Sequence, residues 1–114
     1  MVEFSCKRIS KEELIRCAFN LNKTEYNLLI FLLKSNKVYT VFQVSIEMKL
    51  ERTTIQKAMK NLVGKGLVKK TQKNLPKGGY SFLYKPYNKG EIKGKMKKIT
   101  HVWCKEAGEA ISKL

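Results

Sequence analysis

Long apolar runs are absent. The longest, Leu28-Leu29-Ile30-Phe31-Leu32-Leu33, is 6 residues, against the roughly 18 that a membrane-spanning helix requires, so no membrane is expected among the partners. The N-terminus, Met1-Val2-Glu3-Phe4, carries no basic segment followed by an apolar one and predicts no secretory signal. Cysteine is sparse: Cys6, Cys17 and Cys104 are too few and too scattered for a disulfide scaffold or a zinc site, and are expected as reduced thiols in a cytoplasmic protein. The single histidine, His101, has Lys97 and Lys105 at helical spacing where a general base would need an acid, so it reads as a surface or interface residue. His101 and Cys104 share a helix face, with Glu109 further on, but two ligands per chain do not make a metal site, and none is expected. Cys104 beside Lys105 has the setting of a thiol sensor, although a packed cysteine is the commoner outcome. No Gly-rich phosphate loop occurs at either common spacing. With 114 residues the chain can form one domain, or a small domain plus an arm, with little room for a catalytic cleft. Neither enzymatic activity nor a cofactor is expected.

Negative charge is also scarce. Against 24 Lys+Arg there are 9 acidic residues, a net charge of +15, and only Arg8, Arg16 and Arg52 among the basic residues are arginine. Such an excess on a folded domain points to a polyanion. It is concentrated in the middle: residues 36–88 hold 11 basic and 2 acidic side chains, whereas residues 1–35 hold 6 and 4, and residues 89–114 hold 7 and 3. A phosphate-binding surface should therefore be built from the middle segment.

Helix signals divide the chain. Ser10 and Glu13 form a capping-box pattern that starts a helix over about 11–20, in which Glu13 should reach back to the Ser10 amide. Asn22 with Glu25 starts a second helix over about 23–34, apolar on most sides and so central to the core. Lys37-Val38-Tyr39 reads as extended. Thr40 caps a helix over about 41–48, with Val41, Val44 and Met48 inward and Ile46 beside them. After a break at Leu50-Glu51-Arg52, Thr53 or Thr54 stands where a cap or first turn belongs. A helix over about 52–64 follows, burying Ile55, Ala58, Met59 and Leu62, with Gly64 and Gly66 at its left-handed end. A hairpin occupies about 67–85 around the turn Asn74-Leu75-Pro76-Lys77-Gly78-Gly79, with Tyr80, Phe82 and Tyr84 on one face. That stripe suits the core side of a hairpin better than a base-stacking platform. The final stretch, about 89–113, has no proline and repeats Ile92, Met96, Ile99 and Trp103 at helical spacing, extended by Ala107, Ile111 and Leu114.

Two helices joined by a short turn and followed at once by a basic hairpin make a mainly helical α+β fold of winged helix-turn-helix type. From Leu21 to Pro86 the sequence resembles the small archaeal regulators similar to the TrmB and MarR families. The resemblance is carried by Leu21-Asn22-Lys23-Thr24-Glu25-Tyr26, Thr40-Val41-Phe42-Gln43-Val44-Ser45, Arg52-Thr53-Thr54-Ile55-Gln56-Lys57-Ala58 and, most specifically, Leu62-Val63-Gly64-Lys65-Gly66-Leu67-Val68; Tyr84-Lys85-Pro86 matches the end of such a wing. It implies a DNA-binding transcription regulator. The wing tip has Lys77 where relatives often carry an arginine, and Ser45 stands where many have alanine. Full-length TrmB-type proteins usually add a sugar-binding domain. With the sequence ending at Leu114, sugar sensing is not expected to carry over.

Physical chemistry supports the same surface. Burying Ile55, Ala58, Met59 and Leu62 leaves Arg52, Thr53, Gln56, Lys57, Lys60 and Asn61 outward, with Thr54 near the N-terminal end that enters a major groove. Gln56 suits an adenine edge, Arg52 a guanine edge, and Thr53 or Thr54 a thymine methyl or phosphate. Thr40, Lys57, Lys60 and Lys65 are candidates for the backbone, as are Lys69, Lys70, Lys73 and Lys77 in the wing. The plainer alternatives are a solvated helix face and a charged edge that blocks sheet aggregation. Residues 1–88 are expected to form the DNA-binding domain. Residues 89–114 are expected to form a dimerisation helix with Ile92, Met96, Ile99, Trp103, Ala107 and Ile111 in the seam, making a homodimer on double-stranded DNA. The remaining possibilities are an architectural or RNA-binding winged helix without base readout, and a winged helix that binds protein.

Overall fold

Cap chemistry sets where the helices begin. In a computed structural model, which describes residues 2–5 and 7–114, Ser10 accepts a hydrogen bond from the Glu13 amide at 3.1 Å and opens α1 (Lys11–Phe19). The Glu13 carboxylate does not close the expected box on the Ser10 amide. It takes the Ser10 hydroxyl at 3.2 Å and the Lys7 ammonium at 2.7 Å instead. Asn22 opens α2 (Lys23–Ser35) with the full reciprocal box: its side chain accepts from the Glu25 amide at 2.8 Å and the Glu25 carboxylate accepts from the Asn22 amide at 3.0 Å. Thr40 and Gln43 do the same for α3 (Val41–Met48). The expectation for Cys6 lies outside the described residues.

Helix α4 (Arg52–Gly64) begins differently. Its N-cap is Glu51, which makes no side-chain cap bond, and Thr53 and Thr54 lie in the first turn, the second of the two places the sequence offered for them. The absence of a competing cap bond leaves the first amides of α4 unspent. Left-handed residues end α1, α2 and α3 at Asn20, Asn36 and Lys49, so Lys49 makes the turn between α3 and α4 at φ 57 without glycine. At the end of α4 it is Gly66 that turns left-handed, at φ 72; Gly64 stays helical.

The wing is an antiparallel pair, β3 (Val68–Asn74) and β4 (Tyr80–Pro86), in register from Val68 opposite Pro86 to Asn74 opposite Tyr80. Tyr39 adds a single bridge to Tyr84, the two backbones exchanging bonds of 2.9 and 2.8 Å, which ties the start of α3 to the wing. A second, shorter hairpin that sequence reading did not anticipate pairs β1 (Val2–Phe4) with β2 (Lys7–Ile9). The helix α5 (Lys89–Ser112) starts at Asn88 and gives the molecule a long axis of 65 Å.

The core is a single cluster. Leu28, Leu29 and Leu32 of α2 are fully buried against Val44 of α3, Ile55, Met59 and Leu62 of α4, and Leu67 and Val68 at the root of the wing. Each such side chain contributes about 1.5–3 kcal/mol by leaving water. Ile46, expected beside the inward face, is 60% exposed, because Val41, Val44, Ser45 and Met48 already fill the core side of α3. The α5 stripe divides as well. Ile92 is buried and Met96, half-buried, packs against the same cluster, whereas Ile99, Trp103 and Ile111 stay exposed. Lys95 fixes this root by donating to the Gly66 carbonyl and lying 4.8 Å from the Tyr87 ring centre.

Glu25 is the one charged side chain in the described core. Besides capping α2 it accepts from Asn61 Nδ2 at 2.5 Å, joining the start of α2 to the end of α4. Removing the cap bond and the inter-helix bond together by Glu25→Ala is expected to lower unfolding stability by about 1–3 kcal/mol, measured by urea titration. A change below about 0.5 kcal/mol would mean that water replaces both bonds without loss.

Candidate nucleic-acid interface

Helix α4 presents its polar side outward because its apolar side is consumed. With Ile55, Ala58, Met59 and Leu62 buried, Arg52, Thr53, Thr54, Gln56, Lys57 and Lys60 are all exposed. No acidic residue occurs between Glu51 and Glu91, so α4 and the wing carry no carboxylate side chain of their own. Two of the expected contact residues are hydrogen-bonded within the chain. Asn61 donates to Glu25, and Lys65 Nζ donates to the Asn20 carbonyl at 2.5 Å. Both sit near the end of α4, where the helix leaves the exposed face and meets the start of α2 and the end of α1.

The beginnings of α3 and α4 and the tip-side half of β4 enclose a cleft of about 260 Å³. Thr40, Phe42, Arg52, Gln56, Ser81, Phe82 and Tyr84 line it. Thr40 holds its cap bond from the Gln43 amide at 3.2 Å and keeps its hydroxyl hydrogen for a further acceptor. Burial pushes the Tyr84 phenol above its ordinary value, so it is a neutral wall at physiological pH. A cation–aromatic pair flanks each side of the cleft. On the helix side the Arg52 guanidinium lies 5.4 Å from the Phe42 ring centre; on the wing side the Lys70 ammonium lies 3.9 Å from that of Phe82.

The pleat sorts the wing lysines. Lys70 and Gln72 share a face with Phe82 and Tyr84, and so with the cleft, while Lys69 and Lys73 project from the other face, where Lys69 stands opposite Lys85. Lys77 lies exposed in the turn. The aromatic stripe runs from core to surface along β4: Tyr84 is buried, Phe82 half-buried and Tyr80 58% exposed. Sequence reading missed Phe42, Phe82 and Ser81 as members of this surface. Phe82 was legible as a stripe residue, whereas nothing in local spacing joins Phe42 to Arg52.

A model of the family described as sugar-specific transcriptional regulator TrmB matches residues 15–89, which is more than half of the chain. The chain belongs to the TrmB family. The possible transcriptional regulator from Methanosarcina mazei Go1 shares 32% identity and a TM-score of 0.92, over 99% of this chain and 95% of that one. An uncharacterised protein of Methanocaldococcus jannaschii is 26% identical over 114 residues, covering 100% of this chain and 86% of its own length. A protein from Sulfolobus tokodaii, 22% identical, shares the fold with a TM-score of 0.71 over 85% of this chain and 94% of that one. This TrmB-family chain is thus a winged helix-turn-helix transcription regulator of the DNA-binding kind, in which α3 and α4 are the helix-turn-helix and β3–β4 the wing. Among its described residues no helix is long and apolar enough to cross a membrane.

Proposed function

We propose that the chain is a sequence-specific repressor that binds double-stranded DNA as a homodimer. In this reading the N-terminal half of α4 enters the major groove, the wing lies on the flanking backbone, and bound dimers occlude a promoter. The observation that carries it is the acid-free cleft in which Arg52 and Gln56, the two side chains best suited to base edges, open to solvent between helix and wing. Thr40, Thr53, Thr54, Lys57, Lys60, Lys70 and Lys77 surround it as phosphate or thymine contacts. Residues 1–88 serve as the reader and the distal part of α5 as the pairing element.

Pairing rests on what α5 leaves uncovered. Ile99, Val102, Trp103 and Ile111 are 38%, 53%, 59% and 67% exposed on a helix whose root is already docked. Lys98 and Glu106 border the groove formed by Ile99, Val102 and Trp103. They are equidistant from Val102 along the chain, so an antiparallel pair of α5 helices centred there sets Lys98 of one copy against Glu106 of the other. A patch whose charges complement themselves under a two-fold axis fits a second copy of the chain.

Fluorescence anisotropy on the chain's own upstream region and a scrambled duplex tests the reading. A preference of about 10³-fold or more at near-physiological salt is expected. Gln56→Ala should remove about 1–3 kcal/mol of discrimination at one base position. Equal binding to both duplexes would instead indicate an architectural protein that reads only phosphates.

A further inference from the structure

We propose that Phe42, on the first helix of the helix-turn-helix, is a specificity determinant. Its ring holds the Arg52 guanidinium in position to read a guanine, and its exposed part reads the C5 methyl of a neighbouring thymine. The inference rests on the major-groove reading of α4 and goes beyond it, because α3 would otherwise only support the reader.

Arginine usage gives the first reason. The middle segment is built almost wholly from lysine, and Arg52 is its single arginine. Arg8 pairs with Glu3 at 2.6 Å, and Arg16 binds Glu12 and the Leu21 carbonyl. Among the described contacts, Arg52 is the arginine that lies against an aromatic ring rather than a carboxylate. A phosphate is served by lysine's point charge, whereas guanine O6 and N7 require two parallel donors, which only the guanidinium fork supplies. An arginine at the first position of the reading helix, on a surface otherwise content with lysine, matches the second task.

Placement gives the second reason. A guanidinium within about 6 Å of a ring centre is held by the ring's negative face, which restrains a long side chain before DNA arrives and reduces the entropy lost on binding. Phe42 is 53% exposed at the mouth of the cleft, so water is its main alternative partner. An apolar ring in a major-groove interface gains most against the one apolar group there, the thymine methyl. The 5.4 Å between ring centre and guanidinium falls between one and two base rises of about 3.4 Å, so both contacts fit neighbouring bases.

The test selects duplexes from a randomised pool with the full chain, then measures affinities by anisotropy for the selected site, its single-base variants, a scrambled duplex, and a copy with deoxyuridine replacing thymidine beside the guanine. The wild type is expected to select a guanine next to a thymine and to bind the deoxyuridine copy about threefold more weakly. Phe42→Leu should reduce the ratio of specific to scrambled affinity about tenfold, with the loss falling at that guanine, and Arg52→Lys should do the same. Phe42→Ala should bind thymidine and deoxyuridine copies equally. Ile46→Ala, on the same helix and exposed outside the cleft, should match the wild type. Full guanine discrimination in Phe42→Leu, together with an undiminished methyl effect in Phe42→Ala, would overturn the inference while leaving the α4 reading intact, provided Gln56→Ala still loses base preference. Selection of no motif by the wild type would overturn both.

Discussion

The double variant Val102→Glu/Trp103→Glu is expected to sediment as a monomer and to bind the selected duplex about 10²–10⁴-fold more weakly than the wild type, the range over which a linked second binding event multiplies affinity. Both side chains lie far along α5 from the root that Ile92, Met96 and Lys95 fasten to the domain. Circular dichroism and the thermal midpoint of the variant check that a loss of pairing is not a loss of fold. Two carboxylates per chain at the centre of an antiparallel pair would face two more across the axis. The rim gives a finer test. Lys98→Glu alone sets acids against one another at both ends of the pair, and adding Glu106→Lys restores the complement. Exposed pairs of this kind contribute about 0.2–1 kcal/mol each, and with two pairs the swap should move the dimer dissociation constant by roughly two- to thirtyfold and back. A double variant that still sediments as a dimer would move the interface away from α5, towards α1 and the N-terminal hairpin.

The sequence announced most of this architecture because its punctuation is chemical. Ser10, Asn22 and Thr40 are residues whose side chains can take an orphan amide, and each begins a helix. The wing followed from alternation around a turn rich in glycine and proline. What escaped notice lacked such local marks. The N-terminal hairpin joins two strands of three residues with no glycine or proline between them, and its Arg8–Glu3 pair becomes visible only once the register is known. The left-handed Lys49 hides a tight turn behind an ordinary residue. The α5 stripe read as one seam because periodicity reports an apolar face without saying what covers it; the folded domain buries Ile92 and packs Met96 against its core, while Ile99, Trp103 and Ile111 stay exposed. The same limit applies to the interface. Burial of one side of α4 made its polar side legible, but the diversion of Asn61 to Glu25 and the pairing of Phe42 with Arg52 depend on helices brought together over distances of 36 and 10 residues.

Salt should act on the proposed complex nearly as strongly as the loss of a protomer. If Lys57, Lys60, Lys70 and Lys77 of each copy neutralise phosphates, about eight counterions leave the duplex, the logarithm of affinity falls with that of salt at a slope near −7, and binding weakens about 10⁴-fold between roughly 50 and 200 mM. The slope also counts protomers. Lys70→Ala removes one contact per copy, so the slope should become shallower by about 1.8 for a bound dimer and by about 0.9 for a bound monomer. Lys69→Ala, on the wing face turned away from the cleft, should shift it by less than half as much. Equal shifts for the two lysines would mean that the wing lies edge-on in a groove with both faces against phosphate. A wild-type slope shallower than about −3 could not accommodate two reading helices with their flanking lysines, because it leaves fewer than two cations for each.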